Sequence, residues 1–393
     1  VIFIDYPGFN LRIAEFIHQN KIPTLYYVSP QVWAWKSSRV KKIKVVVDKM
    51  YVILPFEKAF YKKFDYDVDF VGHPLIDAIE QFKDKAIAKQ VFCEKYGLSE
   101  KPIIALLPGS RSQEIEKKLP IMLSVVSKYK EYQFVIAGAP SRSKEYYAPF
   151  LSKENVHVVL NDTYNLLNNS HSALVTSGTA TLETALFKVP QVVCYKSSAF
   201  SYRIAKLLIG KRIKFISLVN LIVGKEIVKE LIQSDLTKVN LIKELDFIVS
   251  TEGRENMLKE YQLLEDKCGG LGASFNTANA IWFLGCIVAV WLGFRISNNI
   301  YNTANSPAVG KVLGSIYCLT VSFFMAFTMS QGSVLLNDIA SGFKTIAETQ
   351  EISAAAQRIV DMGDVPALNV IQIAFVAAII LMQLAQIWMK KAD

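Results

Sequence analysis

The sequence predicts an α/β chain of two parallel-sheet lobes, followed by an all-α tail that spans a membrane. Three observations lead there. Short apolar runs alternate with stretches of helical spacing from the start of the chain. That alternation restarts once, after a polar stretch. The last 118 residues then carry three long apolar runs with a single charge among them.

Val1–Asp5 reads as a buried strand closed by the turn signal Asp5-Tyr6-Pro7-Gly8. Leu11–Asn20 has helical spacing, Thr24–Val28 and Met50–Leu54 read as strands, and Pro55 stops the last of them before a further helix. Asp77–Lys101 is polar and helical and carries the change between lobes. Ile103–Leu107, Gln133–Ala137, Val156–Leu160, Ala173–Thr176 and Gln191–Tyr195 form the second strand series. Strands interleaved with helices build parallel sheets covered on both faces. The expected architecture is therefore two Rossmann-like lobes, residues 1–80 and 81–275, with the site at the carboxyl ends of the strands.

A polar helix, Ser250–Lys267, and the linker Cys268-Gly-Gly-Leu-Gly272 close the second lobe. In the tail, residues 276–393, Ala278–Ile296 carries only Arg295, while Val312–Met329 and Leu368–Met389 carry no charge, the latter ending on Lys390-Lys391. Runs of about 18 apolar residues suffice to cross a bilayer, so about three transmembrane helices are expected.

The net charge is +9, and the tail, with six Lys/Arg against six Asp/Glu, contributes none of it. A basic globular part on a membrane-going chain suits anionic lipid headgroups or nucleotide phosphates. Nucleic acid is not expected as a partner, since no helix-turn-helix, RNA-binding or zinc-finger pattern is present. The five cysteines are odd in number and form no C-x-x-C pair, which excludes a disulfide framework and a zinc site and points to a reducing compartment. The sequence opens at Val1, inside a strand, and reads as a chain shortened at its start.

Two loops carry the strongest chemical signal. In Val175-Thr-Ser-Gly-Thr-Ala-Thr-Leu-Glu183 a strand runs into Ser177, Gly178 and Thr179, and a helix begins at once. Such a helix N-terminus offers unpaired N–H groups and a positive dipole end to a diphosphate, with Glu183 one turn on to accept from ribose hydroxyls. An ordinary N-capped helix is the plainer alternative. Leu106-Leu-Pro-Gly-Ser-Arg111 likewise follows a strand, and Arg111 is either a forked phosphate donor or a solvated side chain.

In the first lobe, Asp5 is either a general base held in a partly desolvated cleft or a turn cap. Trp33 and Trp35 form an apolar wall for acyl chains or sugar faces, or pack in the core, with Lys36 and Arg39 placed near a phosphate. His73, one of four histidines, reads as structural.

These blocks, in this order, resemble lipid-A-disaccharide synthases. The resemblance rests on Ile4-Asp-Tyr-Pro-Gly-Phe-Asn10, Tyr27-Val-Ser-Pro-Gln-Val-Trp-Ala-Trp35, Leu54-Pro-Phe-Glu-Lys-Ala-Phe60 and Val71-Gly-His-Pro74. It continues through the two loops above and Leu218-Val-Asn-Leu-Ile-Val-Gly-Lys-Glu226, and covers the chain to about Trp282. It implies a two-lobed GT-B fold and an enzyme on the cytoplasmic face of the bacterial inner membrane, in contact with its lipid. The implied substrates are UDP-2,3-diacylglucosamine and 2,3-diacylglucosamine 1-phosphate, joined with inversion, without metal or cofactor. It also implies roles: Asp5 as base, Arg111 and Ser177–Thr179 on the diphosphate, Glu183 on the ribose, Asn220 and Gln233 lining the donor side. Three departures stand out: the family's first strands and their Gly-rich loop are absent, Gly8 stands where many members carry Asp, and the tail is foreign to the family. Other GT-B transferases or epimerases, and a membrane-anchored protein that binds UDP-sugar without turnover, are the competing readings.

Overall fold

The computed structural model describes residues 1–152, 155–198, 214–278 and 280. Residues 1–278 form one compact unit and 279–393 a second. Apart from Ala278 and Ala280 of the first, the three expected membrane-crossing runs lie outside the described residues. Among the described residues no helix is long and apolar enough to cross a membrane.

The first unit is built on two sheets. The smaller one pairs β1 (Ile2–Ile4), β2 (Leu25–Tyr27), β3 (Lys49–Val52) and β4 (Asp69–Phe70) in parallel and in chain order. Its connections are α1 (Pro7–Gln19), the short α2 (Val32–Trp35), α3 (Arg39–Val46) and α4 (Pro55–Lys62). Parallel strands flanked by helices need apolar side chains on both faces, and Met50, Tyr51 and Val52 are all buried. Edge strand β1 alternates instead: Phe3 is buried, while Ile2 and Ile4 are 48% and 62% exposed.

The chain crosses to the larger sheet through α5 (Pro74–Lys83) and α6 (Lys89–Tyr96). The single polar helix expected over Asp77–Lys101 is thus two. The side chains of Asn165 and Asn169 hold the intervening link by bonding Ile87 N–H and C=O, which takes its backbone out of helix. Ile76 and Ile79 already pack in the core of the larger sheet, so the crossing begins before residue 80.

The larger sheet has six parallel strands: β5 (Ile103–Leu107), β6 (Gln133–Gly138), β7 (Val156–Leu160), β8 (Ser170–Thr176), β9 (Gln191–Tyr195) and β10 (Lys229–Ile232). Their order, β10-β9-β8-β5-β6-β7, is that of a doubly wound dinucleotide-binding sheet. Every residue of β5 and β6 is buried. Helices α7 (Ser112–Leu123), α8 (Lys144–Tyr147), α9 (Thr163–Asn168) and α10 (Thr179–Leu186) connect the strands as far as β9. Strand β10 escapes sequence reading, because Lys-Glu-Leu-Ile has one fully buried residue, Leu231, and lies at the sheet edge.

Two helices, Lys238–Val249 and Thr251–Lys267, follow, and the chain then returns toward the first sheet. His73 N–H donates to Cys268 O at 2.9 Å, and the Asp77 carboxylate accepts from Gly272 N and Ser274 N, both at 2.7 Å. Asp77 thereby caps the helical residues 273–278.

Candidate active site

Strand order reverses between β5 and β8, which are hydrogen-bonded neighbours with Leu107 opposite Val175. Ligands of doubly wound sheets bind at this switch point, outside the carboxyl ends of the strands. The two loops singled out from sequence leave from these two strands. Loop 108–111 runs from β5 into α7, with exposed Arg111 as the residue before the helix. Loop 177–178 runs from β8 into α10, which begins at Thr179.

The backbone there is built for an approaching ligand. Gly178 has φ 137°, and a Cβ on it would meet nothing within 4 Å, so its conformation and not crowding selects glycine. Gly109, at φ 114°, is crowded as well: a Cβ would collide with the Glu114 carboxylate. Gly178 and Thr179 are exposed. The Ser177 hydroxyl donates to Ile216 O at 3.0 Å, so in this state it braces the 214–217 segment.

Glu183 is half-buried one turn into α10, with Tyr164 Oη donating to its Oε1 at 3.4 Å. Burial raises its carboxyl above the usual range, partly offset by that tyrosine. Asn220 lies deeper than expected for a donor-lining residue. It is fully buried; its amide donates to Val228 O and Glu230, and its oxygen accepts from Ile227 N and Val228 N. Glu230 also accepts from Ile216 N and from Ser217 N and Oγ. Asn220 therefore shapes the segment on which Ser177 rests. Gln233, at φ 54° just past β10, clamps Ser197 after β9 through both ends of its amide.

The remaining candidates lie on the smaller sheet, at the ends of β1 and β2. Asp5 is exposed, not enclosed in a desolvated pocket. Its backbone is unusual: Asp5 and Tyr6 are both left-handed, at φ 44° and 42°. Tyr26 Oη at 2.5 Å and Asn10 Nδ2 at 2.7 Å donate to Asp5 O, holding the side chain at the strand's exit. Val28, a β-branched residue at φ 62°, ends β2 with comparable strain.

Trp33 takes the packing alternative. It meets Phe56 edge-on at 4.9 Å and adjoins the core of the larger sheet. The Trp35 side chain lies outside the described residues. Lys36 and Arg39 are partly exposed, Arg39 opening α3. His73 is buried, its Nδ1 accepting from Leu75 N, and burial lowers its pKa to about 4. It is a neutral helix cap.

Two cations near the switch point were not foreseen. Lys118 is buried on the core face of α7 and donates to Thr176 Oγ1 at the end of β8. Arg142, after β6, donates to Ser112 Oγ at the start of α7, and its buried Nε has no hydrogen-bond partner among the described residues. A sequence signal existed for Lys118 alone: with Ile115, Leu119 and Met122 it occupies the apolar stripe of its helix.

The model of the lipid-A-disaccharide synthetase family matches residues 1–269. The chain belongs to the lipid-A-disaccharide synthase family. A Coxiella burnetii lipid-A-disaccharide synthase is 38% identical over 287 residues, which cover 72% of this chain and 74% of that protein. The Syntrophus aciditrophicus and Geobacter sulfurreducens synthases are 39% and 34% identical over similar spans. Family membership makes this chain a UDP-sugar glycosyltransferase of lipid A biosynthesis. Among solved structures, the S. aureus MnaA–UDP co-structure has a TM-score of 0.53 at 15% identity, covering 72% of this chain and 76% of that one. The Neisseria meningitidis UDP-GlcNAc 2-epimerase bound to UDP-GlcNAc has 0.52 at 17%, with the same coverage. At such identities these two speak for the fold, a two-lobed GT-B-like arrangement of parallel sheets.

Proposed function

We propose that this chain transfers 2,3-diacylglucosamine from UDP to 2,3-diacylglucosamine 1-phosphate in one inverting displacement. The acceptor 6-hydroxyl oxygen attacks the donor sugar C1 as the bond from C1 to the diphosphate oxygen breaks. UDP leaves with the electron pair, and the hydroxyl proton passes to Asp5. Arg111 and the Ser177–Thr179 loop neutralise the leaving diphosphate, and Glu183 accepts from the ribose. Asn220 and Gln233 support the donor side through the segments they hold. Trp35, with Lys36 and Arg39, forms the acceptor-lipid side, while Trp33 packs against Phe56.

One observation carries this reading: in a chain of this family, the two phosphate-type loops leave neighbouring strands at the switch point. The two fold relatives are described as bound to UDP and UDP-GlcNAc. We carry that ligand class to this switch point. The tail, with its three long apolar runs, attaches the enzyme to the cytoplasmic face of the inner membrane, where both acylated substrates reside.

The test is UDP release from the two diacylated substrates, with and without Asp5→Ala. Release that needs the acyl chains and is lost in Asp5→Ala supports the synthase reading. Release with an unacylated UDP-sugar would point to another GT-B transferase or epimerase. UDP binding with no release from any donor would leave a binding protein.

A further inference from the structure

We propose that Lys118 is a positioning residue for the donor diphosphate, a buried ammonium that holds the end of β8 and directs positive charge at the 177–179 loop. The proposal rests on the reading of that loop as the diphosphate site. Lys118 lies on α7, the helix that leaves loop 108–111, and its Nζ donates to Thr176 Oγ1, the last residue of β8. It thus bridges the two elements whose loops flank the switch point.

The charge of Lys118 is poorly compensated. Its side chain is 3% exposed, and among the described residues its one hydrogen-bond acceptor is a neutral hydroxyl. The neighbouring carboxylate, Glu114 on the same helix, stands 3.9 Å away, beyond hydrogen-bond distance, with its side chain laid against Gly109. The other titratable group facing it is Cys194 on β9, fully buried, with its thiol pushed up to about 12 and therefore neutral. A buried ammonium in such surroundings is strongly disfavoured, and burial lowers its pKa despite Glu114. A core position filled for packing alone would carry Leu or Met. A cation held beside an exposed helix N-terminus has a use when an anion binds there, because charges interact strongly across a low dielectric.

Two consequences follow. Binding of a diphosphate favours the charged form of Lys118, so UDP binding takes up protons where this lysine titrates, below its ordinary range, whereas uridine binding does not. Removing the charge weakens UDP and spares uridine.

The experiment is calorimetric titration of the full chain with UDP and with uridine, in buffers of differing ionisation enthalpy, for the unaltered chain and Lys118→Met. Methionine keeps the volume, and Glu114, its side chain 36% exposed, stays solvated without the lysine, so the variant should still fold, which a thermal melt checks. The expected result is UDP affinity reduced roughly tenfold or more, uridine affinity within about twofold, and buffer-dependent proton uptake lost. Equal UDP affinity in both proteins would overturn the proposal and leave the diphosphate site standing. UDP binding by the unaltered chain without proton uptake overturns it too, whatever the variant's folding. An unaltered chain that binds uridine and UDP equally well shows that the loop is no diphosphate site, and both readings fall.

Discussion

Asp5 and Tyr6 are consecutive left-handed residues in a segment where glycine is absent from both positions, and the strain is held by hydrogen bonds from Tyr26 and Asn10 to one carbonyl. Conformations of this kind persist only where the surroundings over-determine them, and they concentrate at functional sites. If Asp5 is the base, Asp5→Ala lowers turnover by about a hundredfold or more, while UDP affinity, read by calorimetry, stays unchanged. Turnover near that of the unaltered enzyme would move the base elsewhere. Glu183→Ala acts on the other side of the reaction: losing acceptance from ribose hydroxyls weakens UDP by roughly 1–3 kcal/mol, measurable in the same titration. Ser177, Gly178, Thr179 and Arg111 were legible in sequence because a strand, a glycine turn and a helix start are contiguous there. The internal use of Asn220 was not, since its partners Val228 and Glu230 are reached only when the chain folds back as β10. Nor was the packing of Trp33, whose partner Phe56 lies on a different helix.

Helix α4 shows how one element ties the Trp block to its lobe. Glu57 is 1% exposed and accepts from Leu54 N at 3.1 Å, capping the helix from its third position. Burial pushes its carboxyl up to about 7, although the Leu54 and Ile53 amides, the Ser29 hydroxyl and the Trp33 indole pull it back. The folded chain therefore holds a proton there that the unfolded chain, with an ordinary carboxyl near 4.5, has lost. Folding stability from this group is full below about 4.5 and falls as pH rises to about 7, by up to about 3 kcal/mol. Glu57→Gln keeps an acceptor for Leu54 and removes the titration, so the variant gains stability relative to the unaltered chain across that window. Denaturant melts at the two ends of it check the prediction; equal pH slopes refute it. His73, capping α5, has the opposite sign. Its lowered pKa means that stability present above about 6.5 is lost as pH falls through about 4. Most strands of both series were legible from continuous apolar runs, which a parallel sheet covered on both faces demands. The break between α5 and α6 was not, because the Asn165 and Asn169 side chains that impose it lie far along the chain.

At the scale of the molecule, residues 1–278 make a compact unit with both sheets, both loops and every candidate side chain, while the three long apolar runs, apart from Ala278, belong to the other unit. The proposed nucleotide site and the proposed membrane attachment therefore fall in different stretches of chain. The boundary between the units was legible in the sequence, since the strand–helix alternation and the whole +9 lie before the tail and the long apolar runs lie within it. The segment 268–274 ends the catalytic unit with bonds of its own, from Cys268 O to His73 and from Asp77 to Gly272 and Ser274. A chain ending after Ala278 keeps all of these contacts. It should bind UDP within about twofold of the full chain, because both loops proposed to hold the diphosphate lie within it. The same cut should release the protein from the membrane fraction under conditions that retain the full chain, leaving only the basic surface to bind anionic lipid in a salt-sensitive way. Retention of the shortened chain at high salt would place the membrane contact in the first unit. Loss of UDP binding would show that the tail takes part in the nucleotide site.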